Sequence, residues 1–153
     1  MYIRNVLLGL CFISLVLVSC APKVYSPGIV SYEESRGKNI IVLKSDEYGS
    51  TSNEATLNAE KAAIKQMIFE GVANSSLSRG MTTEGRNIEK EHPQYFSNLF
   101  DQNGYRKFVT CSEVIKSEDL GRKKFHNTIK VCIAYENLRK DLEKNEIIKK
   151  LGF

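Results

Sequence analysis

Residues 108–135 read FVTCSEVIKSEDLGRKKFHNTIKVCIAY, and this stretch decides the fold. Two β-prone runs, Phe108 to Lys116 and Thr128 to Tyr135, flank a polar segment that contains one glycine. Their Val, Ile, Thr, Phe and Tyr side chains suit a pleated, half-buried surface. Gly121-Arg122 fits a two-residue loop, because a type II′ turn wants Gly at its first central position. That turn puts Cys111 opposite Cys132, Glu113 opposite Lys130, Val114 opposite Ile129, Asp119 opposite Lys124 and Phe108 opposite Tyr135. His126 then stands near Ser117. Phe108, Val114, Ile129, Val131, Ile133 and Tyr135 share one face; the two cysteines and Glu113 share the other. A slip of one residue would undo every one of these pairings. The face carrying Val109, Ile115 and Ala134 is more apolar than a solvated sheet face should be, which calls for a partner or a covering element.

Working outward, Asn39 to Lys44 reads as a further strand, β-branched and apolar on both faces as a central strand requires. Thr51 and Glu54 form a capping box ahead of an Ala-rich helix in which Leu57, Ile64, Met67, Ile68 and Val72 recur at helical spacing. Gly71 and Asn74 end it, and Asn74 to Glu91 reads as a long loop. Pro93 suits the first position of a short helix through Phe100, whose aromatic face (Tyr95, Phe96, Leu99, Phe100) is read as core filling rather than a ligand groove. Asn137 can cap a last helix, Leu138 to Asn145, followed by an apolar tail of Ile147, Ile148, Leu151 and Phe153. The elements imply a two-layer α+β fold. An antiparallel sheet of three to four strands with a long β-hairpin is packed by the Ala-rich helix and the C-terminal helix.

The N-terminus carries an address. Arg4 and the amino group supply positive charge, and Val6 to Val18 supplies an apolar run too short to span a bilayer. Leu17-Val18-Ser19-Cys20 then has the form of a bacterial lipoprotein cleavage box. Residues 1–19 are expected to be a cleaved signal peptide. Cys20 is expected to carry a diacylglycerol on sulfur and an acyl chain on its amine, fatty acids such as palmitate that insert into the lipid bilayer. Ala21, in place of Asp, favours the outer membrane, while a periplasmic or surface-facing orientation stays open. Residues 20–37, with Pro22, Pro27, Gly28 and Gly37, read as a tether in which Ile29 to Tyr32 has the makings of a short edge strand. Residues 38–153 make one small domain.

The formal charge is +4, or about +3 without Arg4. So mild an excess on an envelope protein points to anionic headgroups or cell-wall polymers and not to nucleic acid. Cys111 and Cys132 are the two cysteines left in an oxidising compartment, and compartment and register together favour a disulfide. With His92 and His126 they lack metal-ligand spacing, so no metal is expected. No nucleophile elbow, zinc-protease motif or phosphate loop occurs, and no catalytic residue is assigned. Glu84, Glu89, Glu91 and Asp101 are acids in or near the loop and read as solvated charge. Arg122, Lys123 and Lys124 at the hairpin tip are the preferred polar contact site.

Ala59 to Val72, with its Phe69-Glu70-Gly71-Val72 ending, Tyr95-Phe96 and Phe100, Tyr105 to Val109 and Leu138 to Leu142 together resemble a group of small envelope lipoproteins. More loosely, the strand–helix–hairpin order is similar to the N-terminal domain of flagellar assembly protein T. The resemblance covers most of residues 38–150 and rests on packing motifs. It implies an α+β domain with a non-catalytic envelope role, and it carries over no catalytic residues. The expected function is a membrane-anchored binding or scaffolding domain with an envelope protein partner and no cofactor beyond the lipid on Cys20. The alternatives are an envelope hydrolase using the acidic loop 84–92 and an inhibitor or immunity-type lipoprotein.

Overall fold

A computed structural model of the chain describes residues 28, 30–37 and 39–150. The signal segment, Cys20, the first half of the tether, and Leu151 and Phe153 lie outside the described residues. Four strands, β1 (Val30–Arg36), β2 (Ile40–Gly49), β3 (Val109–Asp119) and β4 (Phe125–Ala134), form one antiparallel sheet in the order β1-β2-β4-β3. Two longer helices, α1 (Ser52–Phe69) and α2 (Tyr135–Lys144), complete the α+β arrangement.

The first strand lies inside the stretch read as tether, where a short edge strand is expected at Ile29 to Tyr32; β1 is an edge strand, and it runs on to Arg36. Val30 pairs with Ser45 and Tyr32 with Leu43, so two apolar side chains pack against the core and outweigh the turn-forming residues around them. β2 runs on to Gly49, well past Lys44, because Ser45 is buried and donates its hydroxyl to the Ala59 carbonyl at 2.8 Å. Gly49 lies so close to α1 that a Cβ there would collide with the Ala55 backbone.

Thr51 caps α1 by accepting from the Glu54 amide at 3.1 Å. Glu54 itself reaches one residue further back than a capping box does, accepting from the Ser50 amide at 2.8 Å and from the Ser50 hydroxyl. The helix meets the sheet through Ala55, Ala59 and Ala63, all fully buried, with Ile64, Met67 and Ile68. Small side chains let the helix axis approach β2 and β4, where Leu43, Ile129, Val131 and Ile133 are fully buried. Leu57, placed on the buried stripe by spacing, is only half-buried, and Glu60 is buried instead. Glu60 pairs with Arg106 at 3.6 Å.

The segment after α1 is tied down. The Met81 and Thr82 amides donate to the Met67 and Ile68 carbonyls at 3.2 and 3.0 Å, which satisfies acceptors the helix end leaves open. The aromatic segment fills core as expected: Phe96 and Phe100 lie 5.5 and 6.2 Å from the Phe69 ring. The last helix starts two residues before Asn137, so Asn137 is inside it and caps nothing. The Tyr135 amide donates to the Asn39 carbonyl at 3.0 Å instead.

The hairpin keeps its expected register only in the middle. Cys111 faces Cys132, Ser112 faces Val131, Glu113 faces Lys130 and Val114 faces Ile129. Beyond Val114 a bulge at Ile115 shifts the pairing, so Ser117 faces Asn127, Glu118 faces His126 and Asp119 faces Phe125. A second shift at Thr110 puts Val109 opposite Ile133. Phe108 and Tyr135 do not pair: one ends a helical turn, Gly104–Phe108, and the other opens α2. The expected common face of Val109, Ile115 and Ala134 therefore does not exist. Val109 packs against the core, Ala134 is buried and Ile115 is exposed.

The reason for the Ile115 bulge is on the α1 side of the sheet. A regular strand alternates faces, so without the extra residue Lys116 and Glu118 would point at α1 and Ser117 away from it. With the bulge, the Ser117 hydroxyl donates to Asn127 Oδ1 at 2.7 Å. Asn127, fully buried, donates from Nδ2 toward the Ser52 carbonyl, the Ser52 hydroxyl and the Thr56 hydroxyl at 2.8, 3.0 and 2.9 Å. Replacing Asn127→Ala should cost about 2–4 kcal/mol, since it strands several buried partners at once. Urea unfolding checks this, and Ser52→Ala should cost clearly less because the Ser52 carbonyl remains.

Tyr105 is fully buried and donates its hydroxyl to the Leu57 carbonyl at 3.1 Å. Burial, then the Glu60 carboxylate, pushes its phenol up to about 12, against the opposing pull of Arg106. The unfolded phenol loses its proton near pH 10, so above that the folded state is the proton-richer one. Stability should therefore fall as pH rises from about 10 towards about 12, and be fully present below that window. Denaturation midpoints across this range, compared with Tyr105→Phe, should show a shallower fall in the variant.

Candidate functional site

β3 lies at the sheet edge and has one neighbour, β4. Its residues from Thr110 to Ser117 are all exposed. Among the described residues the large apolar side chains left exposed are Val114 (47%), Ile115 (52%) and Leu120 (42%), all on β3 or the residue that follows it. The core-facing side chains of β4 lie under α1, and α1 meets β3 at Ser117, whose hydroxyl lies 3.3 Å from that of Ser52, but Val114 is left exposed although it pairs with Ile129 and faces the same way.

The disulfide pins this edge. Cys111 and Cys132 are bonded across the strands with Cα atoms 4.9 Å apart, within the range a disulfide needs. Cys132 is buried and Cys111 exposed. The bond closes a loop of 21 residues, and constraining the unfolded chain to that extent should contribute about 3 kcal/mol. Urea unfolding of the Cys111→Ser, Cys132→Ser double variant should show that loss, and reductant should produce it in the wild type and leave the double variant unmoved.

Towards the tip a charged cluster spans three strands. His126 stands between Asp46 on β2 and Glu118 on β3, with ring nitrogens 3.1 and 3.3 Å from their carboxylates. Its ring stacks on Tyr48 at 4.5 Å. Lys116 approaches Glu118 at 2.9 Å. The Lys116 hydrogen bond, and next that from His126, holds the Glu118 carboxyl below its ordinary range. Sequence reading missed this cluster, because the bulge decides which side of β3 Lys116 and Glu118 occupy.

The turn has three residues between paired Leu120 and Lys124, not the expected two. The Leu120 amide donates to the Lys124 carbonyl at 2.8 Å, and Lys124 donates to Gly121 at 3.1 Å. Gly121, Arg122 and Lys123 all have left-handed backbone, with φ of 74°, 52° and 56°. Arg122 and Lys123 are exposed, while the Lys124 ammonium lies 5.2 Å from the Tyr48 ring centroid. The three cations thus sit together at the tip, as placed from the sequence.

The loop acids are not gathered into one site. Glu84, Glu91 and His92 line a cavity of 420 Å³ with Arg139, Glu146 and Lys149, but Glu89 and Asp101 are not part of its wall. A neighbouring cavity of 320 Å³ is lined by Tyr95, Lys107 and Asp141, which bond one another. Tyr95 donates to Asp141 at 2.9 Å and Lys107 donates to the other carboxylate oxygen at 2.8 Å. Burial, then that hydrogen bond, raises the Tyr95 phenol well above its ordinary range, so it stays a donor. Among the described residues no group of three or more His, Cys, Asp or Glu side chains is placed to hold a metal ion, and no helix is long and apolar enough to cross a membrane. The chain matches no protein-family model, no curated protein and no solved structure.

Proposed function

We propose that this chain is a membrane-anchored bacterial lipoprotein whose α+β domain is a non-catalytic binding or scaffolding module of the cell envelope. The anchoring rests on Leu17 to Cys20 and the charged, apolar segment before it. The binding role rests on one observation, the gathering of exposed apolar side chains on edge strand β3. An exposed strand edge is a template for a further strand, here on either side of the Ile115 bulge that tempers its self-association. β3 has 11 residues, and its pairing with β4 is fixed by a covalent bond. The fitting occupant is an extended segment of an envelope protein, added beside β3 with apolar side chains over Val114 and Ile115. A partner residue of negative charge would sit near Lys116, whose side chain is 61% exposed.

A photo-crosslinking residue at position 115 of the full chain, expressed in its native envelope, tests this. One discrete protein adduct is expected there and none from position 90, which lies in a short helix, Ile88–Glu91, inside the stretch expected as loop. A Glu113→Pro change on the exposed edge should abolish the adduct. Adducts of equal intensity from both positions, or none from either, would remove the binding-edge reading.

A further inference from the structure

We infer that the tip of the β3–β4 hairpin, Leu120 to Lys124, rests on the surface of an anionic bilayer and holds the domain in one orientation against it. This builds on the anchored-lipoprotein reading and concerns a different part of the domain from the β3 edge.

The first support is where the chain enters the sheet. β1 begins at Val30, opposite Ser45, and Gly28 lies against Asp46 and Glu47. On β2, Glu47 faces Asn127 and Gly49 faces Phe125, so this entry is at the end of the sheet from which the hairpin tip projects. The β1–β2 connection and the start of α2 are at the opposite end. An anchor attached upstream of Gly28 therefore pulls on the domain from the side of the tip.

The second support is length. Lys124, the last paired residue before the turn, is three residues from Asn127, so the tip stands roughly 10 Å past the level of chain entry at the usual strand rise, with the turn beyond it. Cys20 precedes Gly28 by eight residues, which can span at most about 28 Å. The anchor point and the tip can thus meet one plane, and a much longer projection or a much shorter linker would forbid it.

The third support is the chemistry of the tip. Arg122 and Lys123 are exposed, and among the described residues neither makes an ion pair. Both occupy left-handed backbone, which Gly or Asn adopts with less strain. The nearby acids are turned to other work. Glu118 is engaged by Lys116 and His126, and Asp119 accepts from the Gly121 amide at 2.8 Å. Beside the cations stands Leu120, 42% exposed, an apolar side chain that can enter the headgroup layer. A basic cluster beside an apolar residue is what an anionic lipid surface attracts.

The test uses the full-length protein, purified in detergent and reconstituted into phosphatidylcholine vesicles with or without phosphatidylglycerol. An environment-sensitive fluorescent amino acid is placed at position 120, or at position 36 at the far end of the sheet. Emission from position 120 should shift to the blue on phosphatidylglycerol vesicles only. The shift should be lost in the Arg122→Gln, Lys123→Gln variant and in high salt, and position 36 should not respond. The mass of the Cys20 peptide reports the anchor separately. A lipidated Cys20 with no shift at position 120 overturns the inference while the anchoring stands. An unmodified Cys20 with a salt-sensitive shift overturns the anchoring and leaves the tip contact in place. Silence on every vesicle, together with a protein crosslink from position 120 in cells, would assign the tip to a protein instead.

Discussion

Asn127 has no access to water, and the centre of this domain is arranged to satisfy its amide. Its nitrogen reaches the first turn of α1 and its oxygen takes the Ser117 hydroxyl of β3, so one side chain on the central strand joins three elements. A buried amide left without partners costs more than an ordinary hydrogen bond contributes, and that asymmetry makes the junction specific. The other polar contacts beneath α1 follow the same logic, Ser45 to the Ala59 carbonyl and Tyr105 to the Leu57 carbonyl. Together they set the height and rotation of the helix, while the alanine stripe sets its distance from the sheet.

The Ile115 bulge follows from that junction and has consequences at the surface. It turns Ser117 inward, and it moves Lys116 and Glu118 to the far side of the sheet, where they meet His126 and Asp46. The bulge also interrupts the edge beside Val114 and Ile115, the two exposed apolar residues of β3. A bulge there tempers self-association of the edge without removing it as a contact surface. Core, edge and tip are therefore coupled through one extra residue.

The surface features fall into a consistent spatial order. The cationic tip and the chain entry share one end of the sheet, and the apolar edge runs away from that end along β3. A domain held at its tip end would present the β3 edge sideways, open to an envelope partner. The two cavities lie elsewhere, along α2 and the aromatic segment, and their charged side chains largely bond one another.

Much of this was legible in the sequence. The alternation in residues 108–135 and the paired cysteines specify a hairpin, and Glu113 facing Lys130 fixes its middle register, because strand pairing is local and its period is two. The Ala-rich helix and the Pro93 segment were legible for the same reason, since caps and periodicity act over a few residues. Four features were decided only by the tertiary structure: the extension of the β1 edge strand from Tyr32 to Arg36, the burial of Glu60, the bulge at Ile115 and the three-residue turn. β1 runs on because β2 offers an edge to pair with, and Glu60 is buried because α1 meets Arg106 and Tyr105 on that side. The bulge and the longer turn arise because Asn127 must find Ser117 under a helix that lies far away in the chain, a requirement that no local pattern of residues records.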